Sequence, residues 1–348
     1  MRKFLKFFLI LLVVLYFGVG WFAYGQAAAV PCEVWIEESK NTPSSWTLGE
    51  KADWNPADYF IDNYEEVTIY ADNSEIELAS WWVENDLSNP TIILLHGLTS
   101  SKFSPDILLP MGMLNKSEFN LLAIDFRDHG ESTCEDGFHE AGQNETDDVV
   151  AAIDWLKEKG VKPSNIGIYG NSFGSMIALM TPAKTNEFGS ISVIDSPVSF
   201  ETLAREEMTY QGLPTFLWEP IYHYALIFKR VNMLKDIPEE ALAKSNKQPI
   251  LIFTGMQSDR FERIVHGPLL GKPHALLFEL LQVQEQCALG VVVRGVVAAV
   301  VFAGGGCCCW RGSSVDGSKR VFDGSRKRWQ LVGRRSGGRL VGRRLVGR

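Results

Sequence analysis

A chain of 348 residues in which 46% of the side chains are hydrophobic can bury a sizeable core, as one large or two small domains, and is too apolar to be disordered throughout. Its formal net charge of −8 is unevenly divided: up to Glu262 there are 19 basic against 38 acidic residues, and beyond it 15 against 4. An acidic body lacks the basic surface that neutralises phosphates, which excludes nucleic acid as the expected partner.

The first residues are basic (Arg2, Lys3, Lys6), and Phe7 to Tyr24 then carries no charge. Such a run reads as a membrane-targeting segment over residues 1–29. It is either an uncleaved anchor or a signal peptide cut near Gln26-Ala27-Ala28-Ala29. With the basic residues on the cytoplasmic side, the body is expected outside in either case, membrane-anchored or secreted. Residues 30–60 are rich in Pro, Trp and Asp without periodicity and read as a spacer or N-terminal arm. The six cysteines show no zinc-ligand spacing, so neither a metal nor another cofactor is expected. An oxidising compartment would permit a Cys32–Cys134 bridge without requiring one.

Residues 61–262 alternate strand and helix patterns. Tyr64–Tyr70 and Ile76–Val83 flank the turn sequence Ala71-Asp72-Asn73-Ser74 and predict an opening hairpin. Thr91–Leu95 is continuously apolar, as a strand covered on both faces would be, and ends in His96-Gly97-Leu98. A helix over 105–115 follows, then a second buried strand, Leu121–Asp125, which closes on Phe126-Arg127-Asp128-His129-Gly130-Glu131-Ser132. Asp147–Leu156 has helical spacing and stops before Gly160. The strand Ile166–Gly170 runs through Asn171-Ser172-Phe173-Gly174 into a helix, and further strands are expected at Ile191–Asp195 and Pro249–Gly255. This alternation predicts an α/β fold with a largely parallel sheet. Between the last two strands, residues 197–248 carry clustered aromatics, among them Phe216, Trp218, Tyr222, Tyr224 and Phe228. They read as a small helical cap whose rings either line a hydrophobic pocket or pack the cap's own core.

Gly-Asn-Ser-Phe-Gly between a strand and a helix has the context of a nucleophile elbow, in which a tight turn lifts the serine hydroxyl clear of the sheet. A serine hydroxyl is a poor nucleophile until a base takes its proton, and that base needs a carboxylate to hold its tautomer. With His96-Gly97, Arg127–Ser132, the elbow and Thr254-Gly255-Met256-Gln257-Ser258-Asp259 in this order, the chain resembles the α/β-hydrolase superfamily. The likeness is strongest to its serine-aminopeptidase and monoglyceride-lipase-like branch and runs from about Tyr64 to Asp259. The resemblance implies a mostly parallel sheet with helices on both faces and a cap. It also implies a serine hydrolase acting on an ester, thioester or amide of a small-molecule, lipid or peptide acyl substrate. Ser172 matches the nucleophile, Asp259 the acid, and the backbone N–H groups of Leu98 and Phe173 the oxyanion hole. Asp195 is a second candidate for the acid, whereas His96 and His129 match structural positions.

The resemblance also implies a histidine one helix and one strand beyond the acid, and the corresponding stretch, Gln284–Gly290, has none. His266 and His274 follow Asp259 too closely for a helix and a strand to intervene. The alternative reading is therefore a binding or scaffold protein that keeps the hydrolase core without turnover. Residues 263–348 form a basic, glycine-rich tail with Leu-Val-Gly-Arg-Arg echoes. It reads as an out-of-frame or disordered segment, which would leave the C-terminal part of the fold incomplete. If the tail is out of frame, sequencing the gene and transcript across codons 255 to 300 is expected to reveal another frame encoding a helix, a strand and a histidine about 25 to 30 codons beyond Asp259; no such frame would make the tail genuine.

Overall fold

The computed structural model describes residues 1–30, 32, 40–47, 55–197, 199–245 and 248–255, together with the backbone of six strands between 275 and 332. The predicted hairpin is β1 (Glu65–Ala71) paired antiparallel with β2 (Ile76–Val83), Ala71 opposite Ile76. Asp72, Asn73 and Ser74 take positive φ in the connection, a conformation that short polar side chains tolerate best. β3 (Thr91–Leu95) leads into α2 (Pro105–Asn115), whose N-terminus is capped by Ser104 with Pro105 at the first helical position. β4 (Asn120–Ile124) and α3 (Glu145–Glu158) follow, the helix four residues longer than its apolar spacing alone indicated because polar residues complete both end turns. β5 (Ile166–Asn171) turns directly into α4 (Phe173–Met180), and β6 (Ser190–Ile194) precedes the cap. The cap contains α5 (Phe200–Tyr210), α6 (Trp218–Tyr224), a π-helical turn Ala225–Lys229 and α7 (Pro238–Ala243), after which β7 (Ile250–Gly255) re-enters the sheet.

The strands lie in the order β1-β2-β4-β3-β5-β6-β7. β2 is antiparallel to β4, and β4, β3, β5, β6 and β7 run parallel. β8 (Ala275–Leu280) continues the parallel ladder beside β7. β11 (Arg311–Ser313), β12 (Lys319–Asp323) and β13 (Arg328–Val332) extend it antiparallel, while β9 (Ala288–Val293) and β10 (Val296–Val301) pair as a separate hairpin. The segment expected to carry a helix and a histidine around β8 lies outside the described residues, as does most of the tail.

Chain order reverses at β3. The connection from β3 to β4 passes to one side and the return to β5 passes to the other, so the loops leaving β3 and β5 diverge from neighbouring strands. A crevice at such a switch point is where open α/β sheets hold ligands. Successive strand residues face opposite layers. Ile92, Leu94, Leu121, Ala123 and Tyr169 pack with Trp46, Ile61 and α2, whereas Ile93, Leu95, Leu122, Ile124 and Ile168 pack with α3 and α4.

The N-terminal helix α1 (Arg2–Ala27) is exposed over most of its length, but its last turns join the second of these layers through Tyr24 and Ala28. Val30 N–H donates to Gly137 O at 2.8 Å, and His139 N–H to Ala28 O at 2.9 Å. Cys32 is joined to Cys134 by the disulfide that the sequence permitted. Beneath this junction Glu140 and Glu145 are buried; loss of solvent, then the charge of Glu145, pushes Glu140 up to about 9, and loss of solvent, with the charge of Asp148 adding to it, pushes Glu145 up to about 7.

Two outcomes follow from packing and burial. A Cβ on Gly174 would lie 2.4 Å from Leu95 O and 2.5 Å from His96 O, both backbone atoms, whereas one on Gly25 meets nothing within 4 Å. Gly174→Ala is expected to lower stability by about 1–3 kcal/mol in thermal melts, with Gly25→Ala unchanged or slightly stabilised. Because the folded state holds protons on Glu140 and Glu145 that the unfolded chain releases near 4.5, stability is expected to be greatest below that pH and to fall as pH rises towards 9. Glu140→Gln is expected to flatten that slope in melts recorded from pH 5 to 9.

Candidate active site

Ser172 stands at the junction of β5 and α4 with φ 51° and ψ −111°, a backbone conformation strongly disfavoured for an L-residue with a side chain. Neighbouring backbone holds it there. Its N–H donates to Ile194 O at the end of β6 (3.0 Å), and its carbonyl accepts from Met176 N–H in α4 (3.2 Å). Gly170 and Gly174 make the turn sterically feasible, since a Cβ on Gly170 would sit 2.4 Å from Gly174 O. Ser175, one helical turn on, places its buried Oγ 2.6 Å from Gly170 O and accepts Ile194 N–H at 3.1 Å, tying β5, β6 and α4 together. Phe173 is buried at the start of α4, where backbone N–H groups have no partner within the helix.

The loop after β3 forms the opposite wall. The Cβ position of Gly97 lies 3.6 Å from Ser172 Cβ, so the segment carrying Leu98 runs beside the nucleophile candidate. His96 is buried under this loop as a neutral ring. Its Nε2 accepts Phe126 N–H (3.1 Å), which leaves the proton on Nδ1 to be donated to Gly97 O (2.8 Å). Burial holds it well below the usual imidazole range.

A buried ion pair fixes the same loop from its far end. Lys102, 1% exposed, donates through Nζ to Asp125 Oδ2 (2.6 Å), while its backbone N–H donates to Asp125 Oδ1 (2.6 Å). Asp125 Oδ2 also accepts Glu131 N–H (3.0 Å), so one carboxylate orders both the loop after β3 and the turn after β4. That turn is further held by Arg127, whose Nε and Nη2 reach Asp148 Oδ1 at 2.9 and 2.6 Å. Burial pushes Asp148 up to about 6 against the pull of that guanidinium.

Thus the structure brings together Ser172, Phe173 and Leu98, and it sets Asp195 beside them. Asp195 directly follows Ile194, whose carbonyl receives the Ser172 N–H, and it has φ 48° with its N–H donated to Phe253 O (3.0 Å). Asp259, His266 and His274 lie outside the described residues. The described histidines are engaged elsewhere: His96 and His129 on neighbouring carbonyls, His139 between Ala27 and Ala141, and His223 on Tyr16. Burial pushes His139 down to about 4.

Sequence reading missed three contributors. Lys102, Ser175 and Asp106, whose carboxylate accepts from the side chain of Asn171 next to the nucleophile candidate, belong to segments that pattern alone marks only as loop or helix. The cap aromatics meet neither expectation fully. Trp218 packs on Phe200 and Tyr222 inside the cap, but Tyr224 turns to Tyr24 and Phe228 to Phe17, both on α1.

The family described as alpha/beta hydrolase fold matches residues 90–218, from the strand before the Leu98 loop through the elbow into the cap. The chain is 27% identical over 175 residues to the uncharacterized protein YqkD of Bacillus subtilis, covering 49% of this chain and 55% of that one. It is 25% identical over 205 residues to human protein ABHD12B, covering 54% and 51%. It thus spans about half the length of the curated relatives it matches. Among solved structures, an esterase of Pyrococcus furiosus, Pf2001, is 28% identical with a TM-score of 0.44, covering 59% of this chain and 75% of that one. With the match over 90–218, the strand order and the strained serine between β5 and α4, this chain has an α/β-hydrolase fold.

Proposed function

We propose that this protein is a serine hydrolase that cleaves an ester, thioester or amide through an acyl-Ser172 intermediate, held at a membrane by α1 with its body on the extracytoplasmic side. The observation that carries the reading is the positive φ of Ser172 at the strand-to-helix junction, a strain of about 1–3 kcal/mol that a plain connecting loop has no reason to maintain. In this reading Ser172 Oγ attacks the acyl carbon, and the carbonyl electron pair moves onto oxygen. The backbone N–H groups of Phe173 and Leu98 stabilise the resulting oxyanion. Its collapse expels the leaving group, which takes up the proton lost by Ser172, and water then releases the acyl chain. Asp259 is the acid that orients the base, with Asp195 second in line.

Location is supported by three features. α1 is a 26-residue helix with an 18-residue stretch of mean hydropathy 2.3, long and apolar enough to cross a membrane by length and composition. Its basic residues precede the apolar run. The Cys32–Cys134 disulfide suits an oxidising compartment. The packing of Tyr24, Ala28 and Val30 into the fold favours the uncleaved form.

A second reading rests on the histidines. The four described ones are all committed to other groups, which favours a binding protein that keeps the elbow and lacks a base. Loss of a triad histidine costs on the order of 10⁶ in turnover. A fluorophosphonate probe separates the two: covalent labelling abolished by Ser172→Ala is expected for the hydrolase. A cooperatively melting but unlabelled chain would leave the binding protein.

A further inference from the structure

Bilayer thickness and helix rise together place part of the cap at membrane depth. A hydrocarbon core about 30 Å thick needs about 20 residues at 1.5 Å each, so the uncharged run from Phe7 to Tyr24 is consumed entirely in crossing it. Yet the second half of that run does not stand free. Gly20 lies against Pro220, so closely that a Cβ would meet Pro220 O at 2.3 Å, and Tyr16 Oη is 2.6 Å from His223 Nδ1. Phe17 meets Phe228 edge to face at 5.3 Å. Phe17 is seven residues before Tyr24, roughly 10 Å deeper along the axis.

The cap surface at this level is apolar and open. Ile227 and Phe228 are 54% and 57% exposed beside α1, and Leu226, Leu213 and Phe216 are exposed as well. Of the ionisable groups around them, Glu219 pairs with Arg205 (2.7 Å) and Lys229 with Asp136 (2.6 Å), while Arg230, at the end of the turn, is exposed, with a side chain long enough to reach lipid headgroups. Trp21 and Phe22 are exposed at the end of the run, where aromatic rings sit at a membrane boundary.

We infer that α6 and the turn Ala225–Lys229 are docked in the outer leaflet, with Leu226, Ile227 and Phe228 inserted among the acyl chains beside α1. The occupant of this apolar face is lipid, because the face is continuous with a helix whose own exposed surface must be lipid-covered. An insertion of roughly 5–10 Å is the depth at which amphipathic helices lie in an interface. The cap is thereby held on the membrane, and an acyl substrate reaching it comes from the leaflet. This rests on α1 being a membrane span, as proposed above.

The test uses the full chain reconstituted in phosphatidylcholine vesicles containing a small fraction of phosphatidylcholine with a diazirine midway along one acyl chain. After irradiation, mass spectrometry is expected to find captured lipid on residues 213–228 as well as on 7–15. Capture on 7–15 alone overturns the docked cap, and a concentration-dependent dimer shielding 213–228 would do so too, giving the face to a second copy. Absence of capture on 7–15 overturns the membrane span itself. The paired substitution Leu226→Asp and Ile227→Asp changes exposed side chains and leaves the Phe17–Phe228 contact in place; it is expected to reduce cap capture at least about tenfold while α1 capture persists, and undiminished cap capture overturns their insertion. Ser172→Ala should leave the pattern unchanged, so failure of this inference and failure of the hydrolase reading are seen separately.

Discussion

The site depends on the contact between Gly174 and the end of β3. The backbone of α4 approaches the carbonyls of Leu95 and His96 so closely that no side chain fits at that position. This closeness allows β5 to turn into a helix within one residue. It forces Ser172 into its positive φ, and it aligns the start of α4 with the loop that carries Leu98. Backbone strain at one residue is sustained because hydrogen bonds from β6 and from α4 itself over-determine its position. A wider junction would relax the serine and separate it from the loop that carries Leu98.

Around this contact the polar interior is organised to hold loops rather than to add stability. Asp125 receives two bonds from Lys102 and one from Glu131, and Arg127 embraces Asp148. Buried ion pairs recover little net free energy, since desolvation offsets much of their attraction, but removing one partner leaves a costly orphan charge. Their effect here is positional: the loop after β3 and the turn after β4 share a single carboxylate. The neutral His96, clasped between Phe126 and Gly97, serves the same end.

The N-terminal helix belongs to the fold at one end and departs from it at the other. Its first turns are exposed, whereas Tyr24 and Ala28 lie in the core and Gly20 lies against the cap. A glycine at position 20 permits a backbone approach that any larger residue would prevent. The cap, in turn, reaches the start of α4 through a chain of ring contacts, tilted between Trp218 and Phe200 and edge to face between Phe200 and His139 and between His139 and Phe173. Position of the anchor, packing of the cap and seating of the elbow are thus parts of one contiguous core.

Local pattern alone determined much of this protein. Alternation and continuous apolar runs set the strands and the hairpin around Asp72–Ser74, while Gly-Asn-Ser-Phe-Gly marked the tight strand-to-helix turn at Ser172. These are features of a few consecutive residues, governed by side-chain period and steric room, and they are written in the chain directly. The order β4-β3-β5, which creates the crevice, required the sheet itself, because pairing between distant segments leaves no local trace. The same holds for Lys102 on Asp125, for Ser175 between β5 and β6, and for the cap rings that turn to α1. Each is a polar or aromatic residue whose partner lies far along the chain, and only tertiary packing decides which distant group it meets.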